Sequence, residues 1–185
     1  MARWEGNTRG RLEQAALELF TEQGYDRTTI AQIARRANLT ERSFYRWFTD
    51  KREVLFGGSE ELQDRLMAEI ASVPEGTGAL DTLMAALAVG PEVFRPKDFL
   101  RARAAVIAAN PPLRERELVK LTSLAESLTQ ALEGRGHDAW TARLAADAAM
   151  AIARLAGERW AQDEQADYRE ILDRSRAELQ AVITG

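Results

Sequence analysis

A chain of 185 residues with 45% hydrophobic and 29% charged side chains is long enough to bury a real core and is composed like a folded globular protein. Having no cysteine excludes a disulfide framework, a thiol nucleophile and cysteine-ligated zinc, and the single histidine, His137, removes most metal sites and catalytic triads. The net charge of −4 is unevenly spread: residues 1–56 carry ten Lys/Arg against eight Asp/Glu, the remainder fifteen against twenty-one.

A slightly basic head on an acidic body is the direction of asymmetry that suits nucleic-acid binding. Met1 to Gly10 holds no apolar leader segment, and no later run approaches the roughly 18 apolar residues of a membrane span, so a cytoplasmic location is expected.

No stretch alternates with period 2, whereas helical spacing recurs throughout, which predicts an all-α chain of about nine helices. The first runs from Thr8 to Gln23, with Leu12, Ala16, Leu19 and Phe20 on one face. Gly24 then takes the left-handed position that ends a helix, and Tyr25 folds back on its last turn. A short second helix follows Thr29, which forms a capping box with Gln32; Ile30, Ile33, Ala34 and Ala37 make its apolar stripe. Asn38 and Leu39 form a turn. Thr40 caps a third helix, Glu41 to about Phe48, onto which Leu39 can staple through Phe44.

Asp50 and Glu53 read as a second capping box, opening a fourth helix at Lys51 that continues to about Val73, bends at Gly57-Gly58 and stops at Pro74. Helices over Thr77–Val89, Pro96–Asn110 and Leu113–Glu133 follow, the last ended by Gly134 and Gly136. His137 there reads as a turn or capping residue. Asp138–Gln162 and Asp167–Val182 complete the chain.

Two short helices joined by a tight turn have helix-turn-helix geometry, in which the second enters the DNA major groove. On Glu41–Phe48, Phe44 and Phe48 belong to the core side, while Arg42, Tyr45 and Arg46 share the opposite face. Two guanidinium forks and a phenol suit guanine edges and phosphates. Glu41 can accept from a cytosine amino group or simply favour the helix N-terminus. Thr28, Thr29 and Lys51 stand at helix starts, where phosphates are favoured. Trp47 can pack its ring or donate its indole N–H. Arg35 and Arg36 read as solvated.

The run Gly24-Tyr25-Asp26-Arg27-Thr28-Thr29-Ile30, then Ile33-Ala34, Asn38-Leu39-Thr40, Ser43-Phe44-Tyr45, Trp47-Phe48 and Asp50-Lys51-Arg52-Glu53-Val54-Leu55, resembles the TetR family of bacterial regulators. The resemblance covers about residues 8–56. It implies a homodimer with a helix-turn-helix domain (1–56) and a ligand-binding and dimerisation domain (57–185). It places DNA contacts at Thr29 and around Thr40, Glu41, Arg42, Ser43, Tyr45, Arg46, Trp47 and Lys51. Many members carry glycine where Arg42 stands, so base preference does not transfer.

The body is expected to bind a small-molecule effector, with Met84, Phe94, Phe99, Arg103, Trp140, Met150 and Arg154 as candidate pocket residues. Each of the larger apolar ones can equally be plain core. Arg103 and Arg154 lie in apolar stretches and need partners, an anionic ligand or an intramolecular carboxylate. The resemblance also implies dimerisation through the last two helices. There Ala142, Ala145, Ala146, Ala148, Ala149, Ala151, Ala153 and Ala156 are small enough for close helix approach.

The reading is therefore a DNA-binding regulator, usually a repressor in this family. It would bind a palindromic double-stranded operator and be released by ligand, with no cofactor or metal and no membrane association. A helical protein-interaction module without DNA binding is the alternative; it would require apolar anchors where Arg42, Tyr45 and Arg46 stand. An enzyme would need nucleophile–base pairs or metal clusters that this composition does not supply.

Overall fold

A computed structural model describes residues 8–185; the acidic and basic side chains before Thr8 that enter the charge count lie outside the described residues. All regular structure among the described residues is helical. Nine α-helices have five residues or more: α1 (Thr8–Gln23), α2 (Ile30–Arg36), α3 (Glu41–Tyr45), α4 (Ser59–Ser72), α5 (Ala79–Leu87), α7 (Lys97–Ala109), α8 (Pro111–Gly134), α9 (Ala139–Gln162) and α10 (Tyr168–Thr184). A single turn, α6 (Gly90–Val93), and a 3-10 turn, Glu53–Leu55, complete the inventory. No described helix is long and apolar enough to cross a membrane.

Local chemistry explains the first three helices. Gly24 has φ +89° and donates to the Phe20 carbonyl at 3.1 Å, while the Tyr25 ring meets Phe20 edge-on at 5.1 Å. Thr29 and Gln32 form the reciprocal capping box at α2. The turn that follows needs a left-handed residue, which Asn38 supplies at φ +54°, and Leu39 N–H donates back to the Ala34 carbonyl at 2.8 Å. The Thr40 hydroxyl then accepts from Ser43 N–H. α3 ends at Tyr45 rather than Phe48 because its last turn tightens: Trp47 N–H donates to the carbonyl of Phe44, three residues back, at 2.9 Å.

The expected fourth helix from Lys51 is interrupted. Asp50 accepts from the Arg52 and Glu53 backbone N–H groups at 2.6 and 3.2 Å, which opens only the 3-10 turn. A Cβ at Gly57 would collide with the Glu13 carboxylate and the Phe48 ring, so the backbone passes close to both before α4 begins at Ser59.

The chain divides into two units, one of Met1–Ser59 and Asp98–Leu118, the other of Glu60–Lys97 and Val119–Gly185. The first differs from a head ending at residue 56 by taking in most of α7 and the start of α8. Val106, Ile107 and Leu113 from these helices join Leu12, Phe20, Ile33, Phe44, Phe48 and Val54 in one apolar core. Three short helices alone bury too little surface, and the added segments supply the rest.

The second unit has its own core, with Leu66, Ile70, Leu83, Met84, Leu128, Leu132, Ile152 and Leu172. α9 packs against α5 and α10. Its alanines divide: Ala142, Ala146, Ala149 and Ala156 are fully buried within this chain, whereas Ala151 is exposed and Ala148 and Ala153 are partly so. Gly136, at φ +92°, ends α8, with His137 N–H donating to Leu132 O, and the Arg135 fork donates to the carbonyls of Ile70 in the last turn of α4 and of Val73 and Pro74 just after it. Phe94, Trp160 and Tyr168 stack in a mutual triangle, capped by the Lys97 ammonium 4.5 Å from the Trp160 ring.

Candidate nucleic-acid interface

α3 is anchored by one face and displays the other. Phe44 is fully buried and Phe48 is 4% exposed, whereas Tyr45 is 56% and Trp47 46% exposed. Arg42 and Arg46, with Glu41, are exposed on the same side. The helix cannot roll to hide them without pulling Phe44 from the core, a loss of about 3–5 kcal/mol. The Thr40 hydroxyl, bonded to Ser43 N–H and within 3.0 Å of the Ser43 hydroxyl, holds the start of the helix.

Most other arginines of this unit are tied to intramolecular partners. Arg11 donates to the Ala37 and Asn38 carbonyls and so braces the turn before α3. Arg36 bridges Glu18 and Glu22 on α1, at 3.2 and 2.7 Å, instead of standing solvated. Those hydrogen bonds raise the Arg36 pKa and lower that of Glu22. Arg52 pairs with Asp50; burial opposes that carboxylate, yet hydrogen bonds from Arg52 and Glu53 hold it below the usual range. Arg42 and Arg46, by contrast, have no intramolecular hydrogen bond or ion pair among the described residues.

Thr28 is a correction. Its side chain is 2% exposed, and its hydroxyl donates to Gly24 O at 2.8 Å and accepts from Gln23 at 3.2 Å. That hydroxyl holds the loop before α2 and is not presented to a phosphate. Thr29 is exposed and caps Gln32. Lys51 is half-buried: its ammonium donates to Tyr25 O at 2.7 Å and Thr28 O at 2.9 Å and lies 4.0 Å from the Tyr25 ring. Burial lowers its pKa. Lys51 therefore clamps the same loop, with its third N–H left over.

Sequence reasoning missed the supports behind this face. The Gln23 amide donates to both Thr28 and Gln32, and Arg116 pairs with Glu53 across 63 positions. No local pattern signals either. Arg103 was conspicuous as a charge in an apolar stretch, and its partners lie within the first unit: Leu55 O at 2.7 Å and Glu117 at 3.2 Å. Burial pulls its pKa down while Glu117 opposes that shift.

The expected pocket residues do not converge. Phe99 and Arg103 belong with the first unit, Phe99 against its core, because α7 groups there. Trp140 is 78% exposed, and the exposed Arg154 pairs with Glu158 one turn on. Only Met84, Phe94 and Met150 lie in or against the second core.

The chain matches the family described as bacterial regulatory proteins, tetR family, over residues 13–56 and the MftR C-terminal domain over residues 80–184, more than half of its length. It is similar to the HTH-type transcriptional regulator TcmR of Streptomyces glaucescens, 35% identical over 79 residues, or 43% of this chain and only 35% of that relative. Among solved structures it is similar to a transcriptional regulator of Aquifex aeolicus VF5 (TM-score 0.58, 19% identity, 95% of this chain and 99% of that one). It is also similar to Thermus thermophilus FadR, a transcriptional repressor in complex with lauroyl-CoA (TM-score 0.53, 23% identity, 91% of each chain). These two likenesses concern the fold. With one family match that spans the tight turn and its outward cationic helix and a second over the body, the chain, which covers about a third of the curated relative's length, belongs to the TetR family.

Proposed function

We propose that the protein is a cytoplasmic repressor that binds a palindromic operator as a homodimer and is released by a small-molecule effector. The observation that carries the DNA-binding half is the α3 face: Arg42, Tyr45 and Arg46 exposed, with Phe44 buried behind them. Thr29, Thr40, Glu41, Ser43, Trp47 and the remaining donor of Lys51 complete the contact set, as phosphate or base-edge groups.

Dimerisation through α9 and α10 is supported by their outer faces. Trp140, Leu144 and Leu155 are 78%, 61% and 51% exposed, and Val182 and Ile183 near the C-terminus are 80% and 75% exposed. Positions 140, 144 and 155 fall within about 60° of one another around an α-helix, with the exposed Ala151 between them on the same face, an apolar stripe. Such a stripe marks an interaction surface, and a two-fold interface makes it self-complementary. These large apolar residues and Ala151, not the buried Ala142, Ala146, Ala149 and Ala156, form this interface.

Effector release requires different ligand affinity in the DNA-bound and free states. The FadR likeness, bound to lauroyl-CoA, supports a ligand-binding role for the body. Selection of duplexes from a random pool followed by sedimentation tests the reading. A two-fold site with half-sites about one helical turn apart, bound by a dimer, is expected. An asymmetric site bound by a monomer refutes it, and Leu144→Glu with Leu155→Glu should yield monomers that lose operator affinity.

A further inference from the structure

We infer that Arg42 and Arg46 each read a guanine, and that the two guanines lie about two base steps apart in every operator half-site. The inference rests on the proposal that α3 enters the major groove, and it names the DNA sequence which that groove must carry.

Availability comes first. Arg11, Arg36, Arg52, Arg103 and Arg116 all have their guanidinium groups anchored on carbonyls or carboxylates of the same unit. Arg42 and Arg46 are exposed with no such anchor among the described residues. Their two forks are the ones at α3 that retain their full donor sets for a ligand.

Spacing comes second. Arg46 closes α3 with helical backbone angles, φ −73° and ψ −23°, so the two arginines keep an i, i+4 relation. Four residues of α-helix advance about 6 Å and rotate the side chain by only about 40°. Bases along a strand are about 3.4 Å apart, so 6 Å corresponds to about two steps. Phe44, fully buried between them on the opposite side, and the Thr40 cap fix the rotation of the helix, so both arms leave the protein in one direction.

Chemistry comes third. Guanine presents O6 and N7 side by side in the major groove, two acceptors that match a guanidinium fork; adenine sets a donor beside its acceptor and cytosine offers only a donor. Two donor-only forks therefore select guanine twice.

The test uses the full-length protein. Duplexes selected from a random pool should carry two guanines per half-site separated by one base. Replacing either guanine with 7-deazaguanine, which lacks N7, should weaken binding about 5- to 100-fold. Arg46→Met keeps the aliphatic stem and removes every donor, so it should become indifferent to 7-deaza substitution at one guanine; Arg42→Met should do the same at the other. Circular dichroism confirms that the variants fold. Selection of half-sites without the guanine pair, or variants that remain sensitive to both deaza substitutions, would overturn the inference while leaving DNA binding intact. Failure to select any duplex would overturn the underlying reading as well.

Discussion

Lys51→Met keeps the length and apolar stem of the side chain and deletes its ammonium. That ammonium donates at 2.7 and 2.9 Å to the carbonyls of Tyr25 and Thr28 and lies 4.0 Å from the Tyr25 ring centroid. Tyr25 O also accepts from Thr28 N–H at 3.2 Å, so the Thr28 carbonyl is the group that suffers most. A hydrogen bond from a charged donor contributes about 1.5–3 kcal/mol and the cation–π contact about 0.5–1 kcal/mol. Against this, burial disfavours the ammonium, as its lowered pKa records, which returns part of the loss. The net destabilisation is about 2 kcal/mol, or about 4–8 °C in Tm for a protein of this size. Calorimetry and urea unfolding measure it. Binding to selected DNA over a salt series provides the second readout, because losing one phosphate contact lowers the slope of log K against log salt by about 0.9. An unchanged Tm would refute the clamp outright; a lowered Tm with an unchanged slope would leave the clamp and reject the phosphate contact.

Three further outcomes follow from the same coordinates. Burial lifts the Tyr168 phenol to about 12. Between its ordinary value near 10 and that value, the folded chain holds a proton the unfolded chain has lost, so stability is full below about pH 10 and falls by about 2–3 kcal/mol on approaching pH 12. Tyr168→Phe should remove that component, and equal alkaline sensitivity of both proteins in urea titrations at pH 9 and 11.5 would contradict it. Thr28→Val deletes a buried hydroxyl bonded to Gly24 and Gln23 and should cost about 1–3 kcal/mol, while Thr28→Ser keeps those bonds and most of the stability; equal unfolding midpoints for the two would reject the structural role. Gly57→Ala places a Cβ against Glu13 and Phe48 and should destabilise by about 1–3 kcal/mol, whereas at Gly58, with nothing within 4 Å, alanine should be tolerated; thermal melts that rank them the other way would refute the close approach.

The parts legible in the sequence were those encoded within four or five residues. Gly24, the Thr29–Gln32 box, Asn38 and Thr40 act on their immediate neighbours, and each behaves as its chemistry requires. The face of α3 was legible for the same reason, since Phe44 and Phe48 one turn apart leave Arg42, Tyr45 and Arg46 nowhere to go but outward. The pocket was not legible. A Phe, Trp or Met at helical spacing has the same local pattern whether it packs at the edge of a core, fills one or lies on the surface, as Phe99, Met84 and Trp140 respectively illustrate.

Sequence alone thus determined an all-helical chain, its punctuation, and a cationic face on the third helix, because helix capping and 3.6-residue periodicity are short-range. Tertiary structure decided which of two plausible faces turns inward. It buried Ala142, Ala146, Ala149 and Ala156 of α9 and left Trp140, Leu144 and Leu155 outside, and it turned Thr28 and Lys51 into supports of a loop. It also brought Arg103 and Arg116 to the turn at Glu53–Leu55 from 48 and 63 positions away. Those choices depend on which surfaces fill one another's space, and no window of neighbouring residues contains that information.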